Sequence, residues 1–272
     1  MSLTINTNLE AMDASRNLNS TENMLSQSME RLSSGLRINS AADDVAGYAI
    51  SQSLQSQVNG LNQAGENIQD AVALTQTAQG ALNDVNQMLQ RIRELGVQFA
   101  NGTTSEEGKK AIEGEVEQLA EEIKRVGETT EFNGKKLLNG EEEIIFQVGS
   151  NDKETISVET KELYAAIEGF IEPAAFGEKI EEGTGLKEID EAIAEVSKLA
   201  GEFGAVQDRI QYTQSNLEVY SQNLSAAVSA LTDVNMATEM TQFTKNEVLQ
   251  QAGVSILAQA NQLPDAALKL LE

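Results

Sequence analysis

The 272-residue sequence contains no cysteine, no histidine and no tryptophan, and it has only two prolines. The missing cysteine excludes a disulfide framework, and the missing histidine removes the commonest general base and transition-metal ligand. Aromatic residues make up 4% of a chain that is 40% hydrophobic, so the predicted core consists of thin aliphatic seams. No metalloprotease, nucleotide-binding, serine-hydrolase or paired-carboxylate motif stands out. We therefore expect neither an enzyme nor a cofactor.

Basic residues are also scarce, with 19 Lys and Arg against 43 Asp and Glu and a net charge of −24. Phosphate binding needs basic patches, so nucleic acid is not an expected partner. Membrane insertion is not expected either, because no apolar run reaches the ~18 residues of a span. The first thirty residues lack the charged-then-apolar block of a Sec leader, so export would need another route. The acidic run 141–143 lacks the spaced ligands of a calcium loop and is interpreted as solvated charge.

The chain does contain long apolar stripes with helical spacing. One runs from Val45 to Phe99 and predicts a helix of roughly 80 Å. A second covers residues 206–234 in steps of four and three, and only Thr213 interrupts this coiled-coil seam. A third covers residues 112–126. Because a lone helix cannot bury its own stripe, the sequence predicts a mainly α fold: a long antiparallel coiled-coil-like helical rod with a small β-hairpin region.

Capping signals suggest where the first helices begin and end. Gly35 indicates a break after the first helix. Ser40 and Asp43 fit a capping box, which would start the long helix at Ala41, and the Asn-Gly pair at 101–102 would stop it.

The second half of the chain has its own signals. Thr104 and Glu107 fit a further capping box that opens the third helix. Residues 144–148 and 155–158 predict two short strands joined by a hairpin loop. Helix is expected from Leu186 to Gln262, and Pro264 is expected to kink or cap a final short segment.

The two ends of the chain share a composition. Both are weakly charged, rich in Asn, Gln and Ser, and amphipathic. A segment of this kind gains too little burial alone to offset its chain entropy. We expect the ends to order only against copies of themselves.

Three motifs carry a family resemblance. The run RLSSGLRINSAADD at 31–44 resembles the N-terminal signature of bacterial flagellins. Residues 251–264, with QAG followed by LAQANQLP, resemble their C-terminal signature, and QRIRELGVQ at 90–98 resembles a further flagellin run. The resemblance spans the whole chain in order. Asp265 departs from it, since flagellins often have glutamine there, and the variable outer domains of large flagellins are missing.

The resemblance implies a structural subunit that self-assembles into the flagellar filament for motility. Residues 1–45 would form the N-terminal part of the inner filament core plus a connecting spoke, and residues 238–272 its C-terminal part. Residues 46–237 would form a surrounding rod-shaped domain with its β-hairpin region near 132–185. It also implies an extracellular location, flagellar type III export, and an export chaperone, a filament cap and hook-associated proteins as partners. The expected polymerisation core comprises six leucines: Leu9, Leu32, Leu36, Leu257, Leu263 and Leu268.

Arg91, Leu95 and Glu115 match positions that, in similar flagellins, contact the vertebrate Toll-like receptor for flagellin. Their alternative interpretation is a plain exposed helix face with a partly buried Leu95. Two further function classes stay open. A hook-associated junction protein of the same axial family would join unlike partners in few copies, and an enzyme is a distant third.

Overall fold

A computed structural model describes residues 7–140, 142–160, 163 and 176–269, with side chains to residue 262 in the last helix. Within these residues the chain is dominated by long helices and carries two small antiparallel hairpins, which confirms the predicted mainly α fold class. The helices are α1 (Leu9–Ser34), α2 (Val45–Phe99), α3 (Glu106–Thr129), α4 (Phe176–Glu181), α5 (Gly185–Thr232) and α6 (Met236–Lys269). The strands are β1 (Glu131–Phe132), β2 (Lys135–Lys136), β3 (Glu143–Gln147) and β4 (Thr155–Glu159).

The chain divides into two compact units. The first, called the terminal unit, comprises residues 1–56 and 223–272 and therefore contains both chain ends. The second, called the central unit, comprises residues 57–222.

In the terminal unit, α1 packs along α6 with very little apolar burial. Ile38 and Ala260 are the only buried apolar side chains among the described residues of this unit. Asn8 caps α1, because its Oδ1 accepts a hydrogen bond from the Ala11 amide at 3.0 Å, and its Nδ2 donates to the Ala260 carbonyl at 2.8 Å. At the other end Gly35 adopts a left-handed φ of 73°, as helix-ending glycines commonly do. The predicted break at Gly35 is confirmed.

The long helix starts at Val45, so the predicted start at Ala41 is wrong. The Asp43 carboxylate accepts hydrogen bonds from the Ser40 amide and hydroxyl at 3.0 and 3.2 Å, which closes a turn before the helix. The residue that caps the helix is Asp44, whose Oδ1 accepts from the Gly47 amide at 2.9 Å. Of these two adjacent aspartates, Asp43 therefore closes the turn and Asp44 caps the helix.

The prediction of one continuous helix from Leu186 to Gln262 is also wrong, because the helix is interrupted at residues 233–235. The backbone there bonds to the α1–α2 connection: the Arg37 amide donates to the Thr232 carbonyl at 2.6 Å, and the Val234 amide donates to the Gly35 carbonyl at 3.0 Å. Asn235 then restarts the helix by accepting from the Thr238 amide at 3.2 Å. By contrast, α6 is one helix as far as Lys269, so no separate segment begins at residue 264.

The central unit has a continuous aliphatic core supplied by α2, α3 and α5. The stripe predicted for α2 is confirmed, since the side chains from Leu82 to Ile92 at the predicted positions are fully buried. The residue that caps the third helix is Ser105 and not the predicted Thr104, because Ser105 Oγ accepts from the Gly108 amide at 3.2 Å and the helix begins at Glu106. Thr104 lies one residue before this cap, and its hydroxyl donates to the Gln98 carbonyl at 2.9 Å.

The predicted hairpin is confirmed as β3 and β4, in the register Ile145 opposite Ser157. The smaller hairpin of β1 and β2 was not predicted, and it turns at Asn133 and Gly134 with φ of 49° and 78°. Positive φ at both turn residues is what a tight two-residue hairpin requires.

Candidate assembly surface

The terminal unit exposes an unusual amount of apolar surface. Of the seventeen large apolar side chains that are exposed among the described residues, twelve belong to this unit. They are Leu9, Met12, Met24, Met29, Val45, Ile50, Met236, Met240, Val248, Leu249, Val254 and Ile256.

These side chains lie on more than one face of α6. At ~100° per residue, Val248, Leu249 and Ile256 share one side of the helix, and Met240 and Val254 lie on another. A helix that is apolar on several sides is normally buried by several partners. Within the described chain α1 supplies one such partner. The remaining faces are therefore available for other molecules.

Some polar side chains in this unit are buried without full compensation. Thr21, Ser28 and Asn246 are buried, and Asn246 Nδ2 has no hydrogen-bond partner among the described residues. The ion pair between Arg31 and Glu239 is long, at 4.0 Å. Since a buried amide without a partner costs about 1–3 kcal/mol, this packing leaves stability to be gained elsewhere.

The six leucines predicted to form the polymerisation core differ in solvent exposure. Leu9 is exposed, whereas Leu32, Leu36 and Leu257 are half-buried. The side chains of Leu263 and Leu268 lie outside the described residues. Val248 and Val254 were not predicted as contact residues, because they fall outside a single spacing of three and four. The sequence signal that could have identified them is the presence of apolar residues on several sides of a weakly charged helix.

The central unit holds the second predicted site, where Arg91 and Glu115 meet on the surface. Arg91 Nε donates to Glu115 Oε1 at 2.9 Å, and Arg91 Nη1 donates to Glu94 Oε2 at 3.2 Å. The hydrogen bond to Glu115 is the main reason why the pKa of Arg91 is raised. Leu95 does not join them on the surface, since it is 2% exposed and belongs to the core.

No group of three or more metal-ligating side chains occurs in the described ranges. In the same ranges, no helix has the apolar character that a bilayer span needs. The chemistry that the terminal unit offers is hydrophobic contact along helices. Paired terminal helices with uncovered apolar faces are the features that a structural subunit of a helical assembly needs.

Comparison with known proteins identifies which assembly. Residues 5–143 match the bacterial flagellin N-terminal helical region, and residues 186–271 match the bacterial flagellin C-terminal helical region. The flagellin of Halalkalibacterium halodurans is 44% identical over 269 residues, covering 98% of this chain and 99% of that protein. The flagellin of Bacillus subtilis is 40% identical with the same coverage. The chain belongs to the bacterial flagellin family, and it is a structural subunit that self-assembles into the flagellar filament for motility.

Solved structures agree with this assignment. The crystal structure of Bacillus cereus flagellin superposes with a TM-score of 0.51 at 25% identity, covering 60% of this chain and 94% of that one. A chain assigned to the flagellar hook-associated proteins of Vibrio parahaemolyticus superposes with a TM-score of 0.62 at 14% identity. That identity shows a shared fold alone, so it gives the hook-associated alternative no advantage over the flagellin assignment.

Proposed function

We propose that the terminal unit supplies the contacts through which this flagellin polymerises. Residues 1–45 and 238–272 would form the inner part of the filament, and residues 46–237 would surround it. The observation that carries the proposal is the uncovered apolar surface on several sides of α6, in a unit that buries only Ile38 and Ala260 among its described apolar side chains.

Each subunit gains free energy when its exposed apolar side chains become buried in the filament. Burying a side chain the size of Val, Leu or Met contributes about 1.5–3 kcal/mol relative to leaving it exposed. Each subunit offers twelve such groups in this unit. In a helical array the faces on different sides of α6 pack against different neighbours. Contacts of this heterologous kind generate an open filament.

The test compares matched pairs of substitutions. Val248→Gln with Ile256→Gln removes apolar surface from α6 at side chains that are 59% and 57% exposed. The control is Val97→Gln with Ile145→Gln in the central unit, where the side chains are 51% and 60% exposed. Because all four side chains face solvent, we expect both variants to fold like the parent. Only the α6 variant should fail to extend filament seeds, as followed by light scattering and electron microscopy. Normal growth of the α6 variant would contradict the proposal.

We further propose the partners that flagellin resemblance implies. Export would use the flagellar type III route, and a chaperone would cover the apolar C-terminal segment before export. The filament cap and hook-associated proteins would adjoin the growing end. A chaperone that binds the parent but not the Val248 and Ile256 variant would support the first of these contacts.

Recognition by the vertebrate Toll-like receptor for flagellin is a separate proposal. The exposed Arg91 and Glu115 supply a paired polar surface on α2 and α3. Arg91→Ala with Glu115→Ala should abolish signalling in receptor-bearing cells while the monomer stays folded. An inert parent protein in that assay would rule the proposal out.

A further inference from the structure

A groove runs between α2 and α5 within the central unit. It has a volume of about 420 Å³, an apolar floor that includes Leu61 and Leu217, and an acidic rim that includes Glu66 and Glu218. Gly65 keeps it open: a Cβ placed there would lie 3.7 Å from Leu217 Cδ2, which is ordinary van der Waals contact. A longer side chain at this position would occupy part of the groove.

A projecting aromatic and basic pair of side chains, the counterpart of the concave acidic groove, lies elsewhere on α5. Tyr212 is 80% exposed, the highest value among the exposed large apolar side chains described. Arg209 lies one turn before it on the same side of the helix and is also exposed. Arg209 forms no ion pair with another described residue, although most described cations of this acidic chain do. An aromatic ring and a free guanidinium thus project together into solvent.

The two features match in chemistry. An aromatic ring suits the apolar floor, and a guanidinium suits carboxylates such as Glu66 and Glu218. Tyr and Arg are also the residue types that most often dominate protein interfaces. Without a cation from the partner, the rim carboxylates would be desolvated with hydrogen bonds from neutral glutamines alone, Gln63 to Glu66 at 3.0 Å and Gln214 to Glu218 at 3.4 Å.

The chain cannot fill its own groove with this pair. Tyr212 precedes Leu217 by five residues, so the two side chains point about 140° apart around α5. If the Arg209 and Tyr212 pair enters such a groove, the groove must therefore be that of a second copy. Because the projecting pair and the groove are different patches of the same molecule, the contact is heterologous and repeats from copy to copy.

We infer that Arg209 and Tyr212 of one subunit dock into the groove beside Gly65 of a neighbouring subunit. The inference rests on the proposed polymerisation of this flagellin and adds a contact between central units. It assigns Gly65 the role of leaving room for the neighbour's ring.

The first experiment fills the groove without harming the fold. Gly65→Met places a side chain against Leu217, whereas Gly80→Met is the control on the same helix, where an added Cβ meets nothing within 4 Å. Both substitutions replace a helical glycine and should raise the melting temperature of the monomer. Only Gly65→Met should raise the critical concentration for polymerisation, by about tenfold or more. Equal polymerisation of the two variants would overturn the inference.

The second experiment follows the ring itself. The parent has no tryptophan and no cysteine, so Tyr212→Trp gives a single fluorescent reporter at this site. Its emission should shift to the blue on assembly and become protected from iodide. Unchanged iodide quenching in filaments would overturn the contact.

Cysteine pairs then test its direction. Filaments of a Tyr212→Cys and Gln69→Cys double variant are assembled under reducing conditions and afterwards oxidised. We expect a ladder of covalent multimers, and none from either single variant. Dimers alone, or no cross-linking in well-formed filaments, would refute the heterologous contact. The polymerisation proposal would still stand, because it is tested separately at Val248 and Ile256.

Discussion

Leu95→Ala is the substitution that tests whether Leu95 acts through the core or through the proposed receptor contact. Leu95 is 2% exposed and belongs to the core, and Leu→Ala changes at buried sites cost about 2–5 kcal/mol. Arg91 is 49% exposed in its surface ion pair with Glu115, and removing such a pair costs about 0–1 kcal/mol. For a unit of this size each kcal/mol lowers the melting temperature by about 2–4 °C. We expect Leu95→Ala to melt roughly 4–20 °C below the parent, and Arg91→Ala within a few degrees of it.

The assay is urea unfolding followed by far-UV circular dichroism, with signalling measured on the same protein samples. Leu95→Met is the matched control, because it conserves volume and should cost less than about 1.5 kcal/mol. If Leu95 acts only through the core, signalling by the Leu95 variants should track their folded fraction. A loss below about 1 kcal/mol for Leu95→Ala would refute the burial argument. It would mean that the side chain is free to leave the core and reach a partner.

Two further predictions concern the connection between α1 and α2. Gly47→Ala should destabilise the start of α2 by about 1 kcal/mol, measured as a lower melting temperature, because its Cβ would lie 2.5 Å from Oδ2 of the capping Asp44. Asp43→Asn should lower stability at neutral pH but not in strong acid. The Ser40 amide is the main reason why the pKa of Asp43 is lowered. The contribution of Asp43 to the free energy of unfolding is therefore complete above its unfolded-state pKa of about 3.9. That contribution disappears as the pH falls through the folded-state pKa. Parallel melting curves of parent and variant across that range would contradict the assignment.

The sequence predicted best what depends on spacing along one helix. The stripes in α2 and α3 were found because each buried side chain recurs every three or four residues, and the β3–β4 hairpin because a polar loop separates two short β-prone runs. The residues at which the helices begin were harder to predict. Ser40, Asp43 and Thr104 have the right side chains for caps, but the capping bonds are made by their neighbours Asp44 and Ser105. A capping motif states which bonds are possible, and only the folded backbone decides between them.

The interruption of the last long helix could not be predicted for a related reason. No proline or glycine lies at 233–235, and the local sequence is compatible with continuous helix. The break exists because Gly35 and Arg37, distant in sequence, provide hydrogen bonds for the backbone there. Contacts between segments so far apart leave no periodic signal. The same is true of the Arg91 and Glu115 pair, which joins two different helices.

The seam predicted at 206–234 shows what a heptad pattern does and does not specify. Ile210 and Leu217 are buried as expected. Tyr220 is exposed although it continues the same spacing, and the buried stripe extends instead toward the start of α5, to Ile189. Spacing determines which side chains share a face, but burial requires a partner at that level of the helix. In a protein that polymerises, part of such a face is expected to remain uncovered in the single chain. An apolar stripe that continues past its partner is therefore a reason to look for contacts with a neighbouring subunit.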